Sequence, residues 1–274
     1  MLRIGIYMID KVKQKINELL SGGSVEGVVA LANANGHVAP CLFRKGDDLQ
    51  KLCLGDREIA GDARYPLNKV LITIARQYPD DTFGVLVRGC DERGLHILYR
   101  LNQLLPDKVV PIGISCPETL ALQCECKKPW PDDMTAGEKS EGVAQKRVQD
   151  AEDMDLKQRF DYWTDQFSKC VKCYGCRDIC PMCFCKECSL ECEDLVSKGD
   201  LPVDIPVFHL TRAMHMADRC IDCGLCEEAC PSGIPLRLLY KKTAGIMNAE
   251  FGFTSGIDKN EKSPLSLMGS APKN

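Results

Sequence analysis

Cysteine is the residue that most constrains what this chain can fold into. The sequence holds 18 cysteines in 274 residues, and twelve of them lie between Cys170 and Cys230. A chain of this length buries enough apolar surface to fold without disulfides. The N-terminus shows no apolar core of signal-peptide length, which favours a cytoplasmic location with reduced thiols. We therefore expect most of these cysteines to be metal ligands.

The spacing C-x-x-C-x-x-C-x-x-x-C-P occurs twice, at Cys170–Pro181 and at Cys220–Pro231. Three thiolates on one tight turn hold three corners of a 4Fe–4S cluster, and in proteins with two clusters the fourth cysteine serves the other cluster. The spacing therefore predicts two ligand sets. Set I comprises Cys170, Cys173, Cys176 and Cys230. Set II comprises Cys220, Cys223, Cys226 and Cys180. Zinc also binds C-x-x-C pairs, but a zinc site needs neither the fourth spacing nor the C-P repeat.

Four further cysteines follow Pro181 in the segment MCFCKECSLEC. This inserted set comprises Cys183, Cys185, Cys188 and Cys192. The clustering favours an additional iron–sulfur site. Two alternatives remain open, because the same thiols could hold a zinc ion or one of them could displace a regular ligand.

The N-terminal half carries a strand–helix–strand pattern. Phe83–Val87 and Val109–Ile114 are continuous apolar runs, and residues 91–105 place leucines on one helical face. Such a unit makes the two strands parallel and buried. With further strands at Val25–Leu31 and Val38–Phe43, residues 1–130 are predicted to form an α/β domain with a parallel sheet.

The two strands of this unit are each followed by a cysteine. Cys90 comes just after the first strand and Cys116 just after the second. Parallel strands place both at the carboxyl edge of the sheet, where open α/β sheets bind ligands. Cys124 and Cys126 follow within one short helical stretch. These four cysteines, the sheet-edge set, are predicted to hold another iron–sulfur cluster; the alternative is buried free thiols that act as small hydrophobes.

The C-terminal half differs in pattern from the N-terminal half. Residues 131–155 are polar and charged and are predicted to be a linker. An apolar stripe with helical spacing then leads into the first motif and is expected to pack in the core: Leu156, Phe160, Trp163 and Phe167. Residues 207–217 indicate another helix between the motifs. We predict a mainly helical domain with two 4Fe–4S clusters over residues 156–250 and a flexible tail over 251–274.

Charge and hydropathy exclude two classes of partner. The chain has 35 basic and 39 acidic residues, a net charge of −4 and a pI of about 5.7. This balance provides no basic surface for nucleic acid. No run approaches the roughly 18 apolar residues of a membrane span. We expect protein partners, with no nucleic acid and no direct membrane insertion.

Several segments, in order along the chain, resemble a known family. SGGSVEGVVALANANGHVAP, YPLNKVLITIARQ, VRGCDERG and KCVKCYGCRDICP are similar to parts of the beta subunits of coenzyme-reducing hydrogenases and formate dehydrogenases. Those subunits join an α/β domain to ferredoxin-type clusters. The resemblance implies electron transfer between clusters and a flavin (FAD) or deazaflavin site. From the residues alone, no G-x-G-x-x-G fingerprint of a dinucleotide site follows a strand.

The C-terminal half resembles a second group of proteins. Its helical interval between the motifs is similar to that of the helical dicluster ferredoxins in succinate dehydrogenase-like and heterodisulfide reductase-like subunits. Its final segment, RCIDCGLCEEACPSGIPLRLLYKK, resembles cluster modules of larger electron-relay and electron-bifurcating complexes. This resemblance implies membership of a larger electron-relay complex, with hydrogenase, formate dehydrogenase or heterodisulfide reductase-like subunits as partners.

Together these features predict an electron-transfer subunit without a substrate of its own. It would relay electrons between a hydrogenase- or formate dehydrogenase-type catalytic subunit and a flavin- or disulfide-reducing partner. One alternative is a flavin- or deazaflavin-dependent oxidoreductase subunit with its own substrate site in the N-terminal domain. Another is a structural adaptor rich in zinc.

Overall fold

A computed structural model describes residues 2–57, 62–192, 194 and 205–266 of the chain. The chain forms two compact units, Met1–Ala144 and Gln145–Asn274. The boundary lies inside the segment predicted to be a linker. Part of the predicted tail, residues 267–274, lies outside the described residues.

The first unit is built on a five-stranded sheet whose main path runs in the order β2-β1-β4-β5, with β3 paired to β1. The strands are β1 (Gly27–Ala34), β2 (His37–Phe43), β3 (Leu52–Cys53), β4 (Phe83–Val87) and β5 (Val109–Gly113). Strands β1, β4 and β5 are parallel, whereas β2 and β3 are antiparallel to β1. The sheet is therefore mixed, and the prediction of a parallel sheet was wrong for two strands. The cause at β2 is a tight hairpin, since Asn35 and Gly36 both have positive φ.

The strand–helix–strand prediction is confirmed. The first unit contains α1 (Leu2–Ser21), α2 (Leu67–Gln77), α3 (Gly89–Arg100) and α4 (Glu118–Cys124). Helix α3 connects β4 to the parallel neighbour β5, with Val87 paired to Gly113. Leu95, Ile97 and Leu98 of α3 are almost fully buried, so the helix packs by its apolar face. The carboxyl ends of β4 and β5 therefore lie side by side.

Residues 128–136, which we call the strap, run along that carboxyl edge. The amide of Thr135 donates to the carbonyl of Gly113 at 2.8 Å, and the amide of Cys116 donates to the carbonyl of Pro129 at 2.7 Å. Ile114 and Ala136 form an isolated parallel bridge. Although the strap is polar in sequence, its backbone is held to the sheet by hydrogen bonds.

The second unit is helical. Its helices are α5 (Lys146–Glu152), α6 (Leu156–Ser168), α7 (Gly175–Asp178), α8 (Ile205–Met216), α9 (Leu225–Glu228) and α10 (Leu236–Phe251). Helix α8 packs against α6 and α10. Phe208, Tyr240 and Phe253 are among the most buried side chains of the second unit. None of the described helices, in either unit, has the length and apolar character needed to cross a membrane.

Helix α6 does not bury the whole of its apolar stripe. Asp155 begins the helix with a reciprocal capping box to Gln158. At the far end Phe167 is buried and stacks on His209 of α8, with ring centroids 4.8 Å apart. Leu156 and Phe160, however, are 84% and 72% exposed. The expectation that they pack in the core was wrong, because the described residues leave the N-terminal half of this stripe uncovered.

Candidate metal centres

The two C-x-x-C-x-x-C-x-x-x-C-P motifs have the same backbone conformation. The residue before the second cysteine has positive φ in both copies, 48° at Lys172 and 56° at Asp222. The residue after that cysteine does too, 59° at Tyr174 and 80° at Gly224. These left-handed residues curl the chain around each loop of cysteines, a conformation that L-residues adopt only where the structure imposes it.

Backbone amides of the loops point at the first thiol of each motif. The amide of Lys172 donates to Sγ of Cys170 at 3.4 Å. The amide of Asp222 makes the equivalent hydrogen bond and acts to lower the pKa of Cys220. Hydrogen bonds to sulfur favour the thiolate, the form that binds iron. The loops are thus shaped to hold negatively charged sulfur.

A short helix then carries the fourth cysteine of each motif away from its own loop. In α7 the amide of Ile179 donates to the carbonyl of Gly175 at 3.0 Å, and in α9 that of Ala229 donates to Leu225 at 2.9 Å. The two short helices pack against each other. This exchange of positions brings each fourth cysteine towards the loop of the other motif.

Set I lies together in the structure. Burial raises the pKa of the Cys176 thiol to about 11; Arg212 acts to lower it, whereas Cys170, Cys173 and Cys230 add to the rise. Burial also raises the pKa of Cys170, and Cys230 and Cys173 add to this rise. Cys230 belongs to the second motif in sequence, yet its charge acts on the loop of the first.

Set II shows the reciprocal arrangement. Burial raises the pKa of Cys220 to about 12, with contributions from Asp222 and then from Cys180. Burial also raises the pKa of Cys226, and Cys223, Cys220 and Cys180 raise it further. Here Cys180 of the first motif acts on the loop of the second.

The pKa values in both sets are raised, so neighbouring thiols of a set resist losing their protons at the same time. A bound cationic metal centre reverses this, because it stabilises each thiolate and releases the protons. Within the described parts of the chain, no three His, Cys, Asp or Glu side chains converge closely enough to hold a single metal ion. A 4Fe–4S cluster binds each thiolate through a different iron, so its ligands stand further apart. The chemistry of sets I and II fits such a cluster.

The sheet-edge set is buried at the carboxyl edge of β4 and β5. All four members, Cys90, Cys116, Cys124 and Cys126, are buried. Cys116, Cys124 and Cys126 pack around Leu120. Burial raises the pKa of Cys90, to which Asp91 and Cys116 add, while Arg64 and Arg93 oppose the rise. The structure therefore brings together the four cysteines that the strand–helix–strand unit was expected to align.

Sequence reasoning placed Arg88 and Arg93 near the sheet edge, as residues that a flavin site could use, but did not assign them a role beside these thiols. Arg88, the residue after β4, is buried and donates to the carbonyls of Leu54 at 2.7 Å and of Ser115 at 3.2 Å. It also forms an ion pair with Asp56 and a hydrogen bond with Cys116. The segment VRGC places Arg88 beside Cys90, and this adjacency was the available signal. Cations beside thiols stabilise the negative charge that a bound cluster would bring.

The strap closes over this edge through its backbone. A Cβ atom at Gly113 would lie 1.9 Å from the carbonyl oxygen of Asp133. A Cβ atom at Gly89 would lie 2.6 Å from the carbonyl oxygens of Lys128 and Trp130. Glycine at both positions is therefore required for the close approach of the strap.

The inserted set occupies a different kind of position. Cys185 and Cys192 are exposed, and Cys183 and Cys188 are half-buried. Nη1 of Arg212 lies 3.9 Å from Sγ of Cys183. Residue 193 and residues 195–204, which follow the set, lie outside the described part of the chain. Metal binding by the inserted set stays a prediction.

The second motif falls inside a known domain family. Residues 214–235 match the family described as "4Fe-4S binding domain", and this range contains Cys220, Cys223, Cys226 and Cys230. The chain is therefore an iron–sulfur protein by class.

Its similarity to curated proteins confirms the resemblance to beta subunits. The chain is 42% identical over 103 residues to the F420-dependent formate dehydrogenase subunit beta of Methanocaldococcus jannaschii, which covers 38% of this chain and 27% of that protein. It is 38% identical over 149 residues to the F420-dependent formate dehydrogenase 1 subunit beta of Methanococcus maripaludis, which covers 53% of this chain and 38% of that protein. The matches thus span less than two-fifths of either beta subunit.

A third relative is an uncharacterized ferredoxin of M. jannaschii. It is 35% identical over 95 residues, which covers 27% of this chain and 58% of that protein. The chain is thus similar both to beta subunits of formate dehydrogenases and to a ferredoxin, in agreement with an α/β unit joined to a ferredoxin-type unit.

Proposed function

We propose that this chain is a cytoplasmic iron–sulfur electron-transfer subunit with one 4Fe–4S cluster in set I and one in set II. It relays electrons within a multi-subunit complex, between a formate dehydrogenase- or hydrogenase-type catalytic subunit and a flavin- or disulfide-reducing partner. The observation that carries the proposal is the exchange of fourth cysteines, Cys230 towards the first loop and Cys180 towards the second.

Exchanged ligands matter because they keep two clusters close together. A 4Fe–4S cluster accepts and gives up one electron at a time. The short helices α7 and α9 each connect a loop to the thiol that serves the other loop, so the two centres are separated by little more than one helical turn. Such a pair forms two steps of a conducting path through the second unit.

Exposure suggests where electrons would enter or leave. Cys173 of set I is exposed, whereas Cys176 in the same set and Cys226 of set II are buried. Set I therefore approaches the surface of the second unit at Cys173. We propose set I as the point at which electrons pass to or from a partner subunit.

The proposal extends to the first unit. The sheet-edge set has four buried thiols at one strand edge and the cation Arg88 in contact with one of them. We assign a third cluster to this set. We assign a fourth to the inserted set, on its sequence clustering alone.

The deciding experiment is the content of iron, acid-labile sulfide, zinc and flavin per chain after purification without oxygen. About eight irons indicate sets I and II alone, and about twelve to sixteen indicate that further sets are filled. Cys176→Ser and Cys226→Ser are each expected to remove about four irons. Cys41→Ser is the matched control, since Cys41 is a half-buried thiol of β2 outside all four sets. Zinc in place of iron contradicts the proposal.

A second candidate is a flavin- or deazaflavin-dependent oxidoreductase subunit with a substrate site in the first unit. It is favoured by similarity to the beta subunits of two F420-dependent formate dehydrogenases. A yellow chromophore released by acid, together with reduction of F420 by the isolated chain, supports this candidate. Iron without flavin, and no reaction with F420, supports the relay.

A further inference from the structure

One arginine lies between the two ligand sets of the second unit. Arg212 of α8 is 2% exposed. Its Nη2 donates to the carbonyl of Cys176, in set I, at 2.7 Å. Its guanidinium carbon lies 5.4 Å from the ring centroid of Tyr240 in α10. A fully charged side chain is therefore held in the interior beside the first motif.

The same face of α8 lies beside set II, because Sγ of Cys180 lies 4.0 Å from Sδ of Met216, one helical turn after Arg212. Burial acts to lower the pKa of Arg212, but Tyr240, Cys180, Cys183 and Cys176 raise it above its ordinary value. In turn, Arg212 acts to lower the pKa of Cys226. Cys180 and Cys226 both belong to set II, whereas Cys176 belongs to set I. Arg212 thus faces ligands of both proposed clusters.

The side chains that this arginine contacts are a thiol and a phenol: Nη1 lies 3.9 Å from Sγ of Cys183, and the guanidinium carbon lies over the ring of Tyr240. A buried cation needs a compensating anion, because removing it from water is otherwise costly. Thiolates bound to iron–sulfur clusters would supply that negative charge on both sides of Arg212.

Tyr240 completes the arrangement. It is 2% exposed, and among the described residues its hydroxyl has no hydrogen-bond partner. The groups that act on its pKa, after burial, are Arg212, Cys226, Cys176 and Cys180. Buried hydroxyls are normally satisfied by hydrogen bonds. This unsatisfied donor stands among cysteines of both sets, where cluster sulfur could accept its hydrogen bond.

We propose that Arg212 and Tyr240 are positioning residues that form one shared electrostatic bridge between the two clusters and stabilise the reduced state of both. This inference rests on the proposed function. One-electron reduction adds a negative charge to a cluster, and a nearby cation or hydrogen-bond donor favours that state. Because the bridge faces both sets, it raises both midpoint potentials together and keeps them matched for transfer.

The test is a redox titration of the full chain, purified without oxygen and followed by electron paramagnetic resonance. Arg212→Met should lower both midpoint potentials, by about tenfold in each redox equilibrium, or about 59 mV for a one-electron couple. Arg212→Lys keeps the charge, so both midpoint potentials should stay close to those of the wild-type chain. Tyr240→Phe should lower both potentials by a smaller amount.

Arg159→Met is the matched control. Arg159 lies in the same unit and donates to the carbonyls of Glu152 and Met154, so its loss should leave both potentials unchanged. The bridge is refuted if Arg212→Met and Tyr240→Phe leave the potentials unchanged, or if only one cluster responds. If Arg212→Met loses iron, Tyr240→Phe decides the test, and the bridge is refuted if that variant leaves both potentials unchanged or shifts only one of them. A wild-type chain without two cluster signals instead refutes the proposed function, before any variant is compared.

Discussion

The two cysteine motifs of the second unit share one backbone but have different surroundings. At the first left-handed position the first motif has Lys172 and the second has Asp222. In the helical turn the first has Arg177 and Asp178, whereas the second has the two acids Glu227 and Glu228. The comparison teaches that cysteine spacing determines where iron would be held, while the residues between the cysteines determine its electrostatic environment.

The acids of the second motif are balanced by cations from other helices. Nε of Arg237 in α10 lies 2.6 Å from Oδ1 of Asp222, and Nζ of Lys241 lies 3.7 Å from Oδ2 of the same carboxylate. Nη1 of Arg147 in α5 lies 2.6 Å from Oε1 of Glu227. The first motif instead uses Arg177 within its own turn, paired with Asp178 and with Glu191 at 2.6 Å.

The largest expected effect concerns the exchanged ligands. Cys180→Ser should weaken the cluster of the second loop, and Cys230→Ser that of the first, each with loss of about four irons. Iron analysis combined with paramagnetic resonance assigns the lost signal to a loop, by comparison with Cys176→Ser and Cys226→Ser. If Cys180→Ser removes the same signal as Cys176→Ser, each motif serves its own cluster and the exchange is disproved.

Stability should also distinguish the motifs. Arg237→Met removes a buried guanidinium that pairs with the partly exposed carboxylate of Asp222, and we expect a loss of about 2–3 kcal/mol in the free energy of unfolding. Arg177→Met breaks a more exposed pair and should cost about 1 kcal/mol or less. Denaturant unfolding without oxygen measures both. Equal losses of free energy in the two variants would mean that the stability of the second motif does not depend on the cations contributed by α5 and α10.

Acid should affect the surroundings of the first motif. His209 is stacked on Phe167, and Phe208 contacts Tyr174 of that motif. Burial, and then Arg212, lower the pKa of His209 from 6.5 to about 4. The unfolded chain therefore binds more protons than the folded chain between these values, and stability falls as pH falls through this range, by about 2 kcal/mol from pH 7 to pH 5.

His209→Phe should remove this part of the pH dependence. The matched control is His215→Phe, which replaces an exposed imidazole on the same helix. Chemical unfolding at several pH values between 7 and 5 gives the slope. A slope that is unaltered in His209→Phe would place the acid sensitivity elsewhere.

The smallest expected effect is a change of charge at the left-handed position. Lys172→Asp should lower the midpoint potential of the set I cluster, and Asp222→Asn should raise that of set II, each by less than about tenfold in the redox equilibrium, because partly exposed charges are screened. The redox titration described above measures both. Shifts of the opposite sign would contradict an electrostatic origin.

Some of this structure could be predicted because it follows from short-range rules. Short links on both sides of α3 force β4 and β5 to be parallel neighbours, and this aligned Cys90 with Cys116. The repeated spacing likewise predicted which thiols lie together in sets I and II. The first inference needed only residues close together in sequence, and the second needed only the comparison of two copies of one spacing.

Other features depend on contacts between distant segments. A single Arg212 or Tyr240 has no periodicity that would identify it, because its role comes from cysteines contributed by two motifs. The apolar stripe of α6 indicated one face of a helix but not whether another element packs on that face. Leu156 and Phe160 were therefore assigned to the core although they are exposed. The polar composition of residues 131–136 indicated a linker, whereas their backbone forms hydrogen bonds with the edge of a sheet.

The strap also has a consequence for how this protein can diverge. Its carbonyl oxygens approach Gly89 and Gly113, and main-chain atoms are the same whatever side chain a residue carries. Any larger residue at either glycine would therefore displace the strap, whereas these two contacts do not depend on which side chains the strap carries. The closure thus constrains one residue at the start of α3 and one at the end of β5.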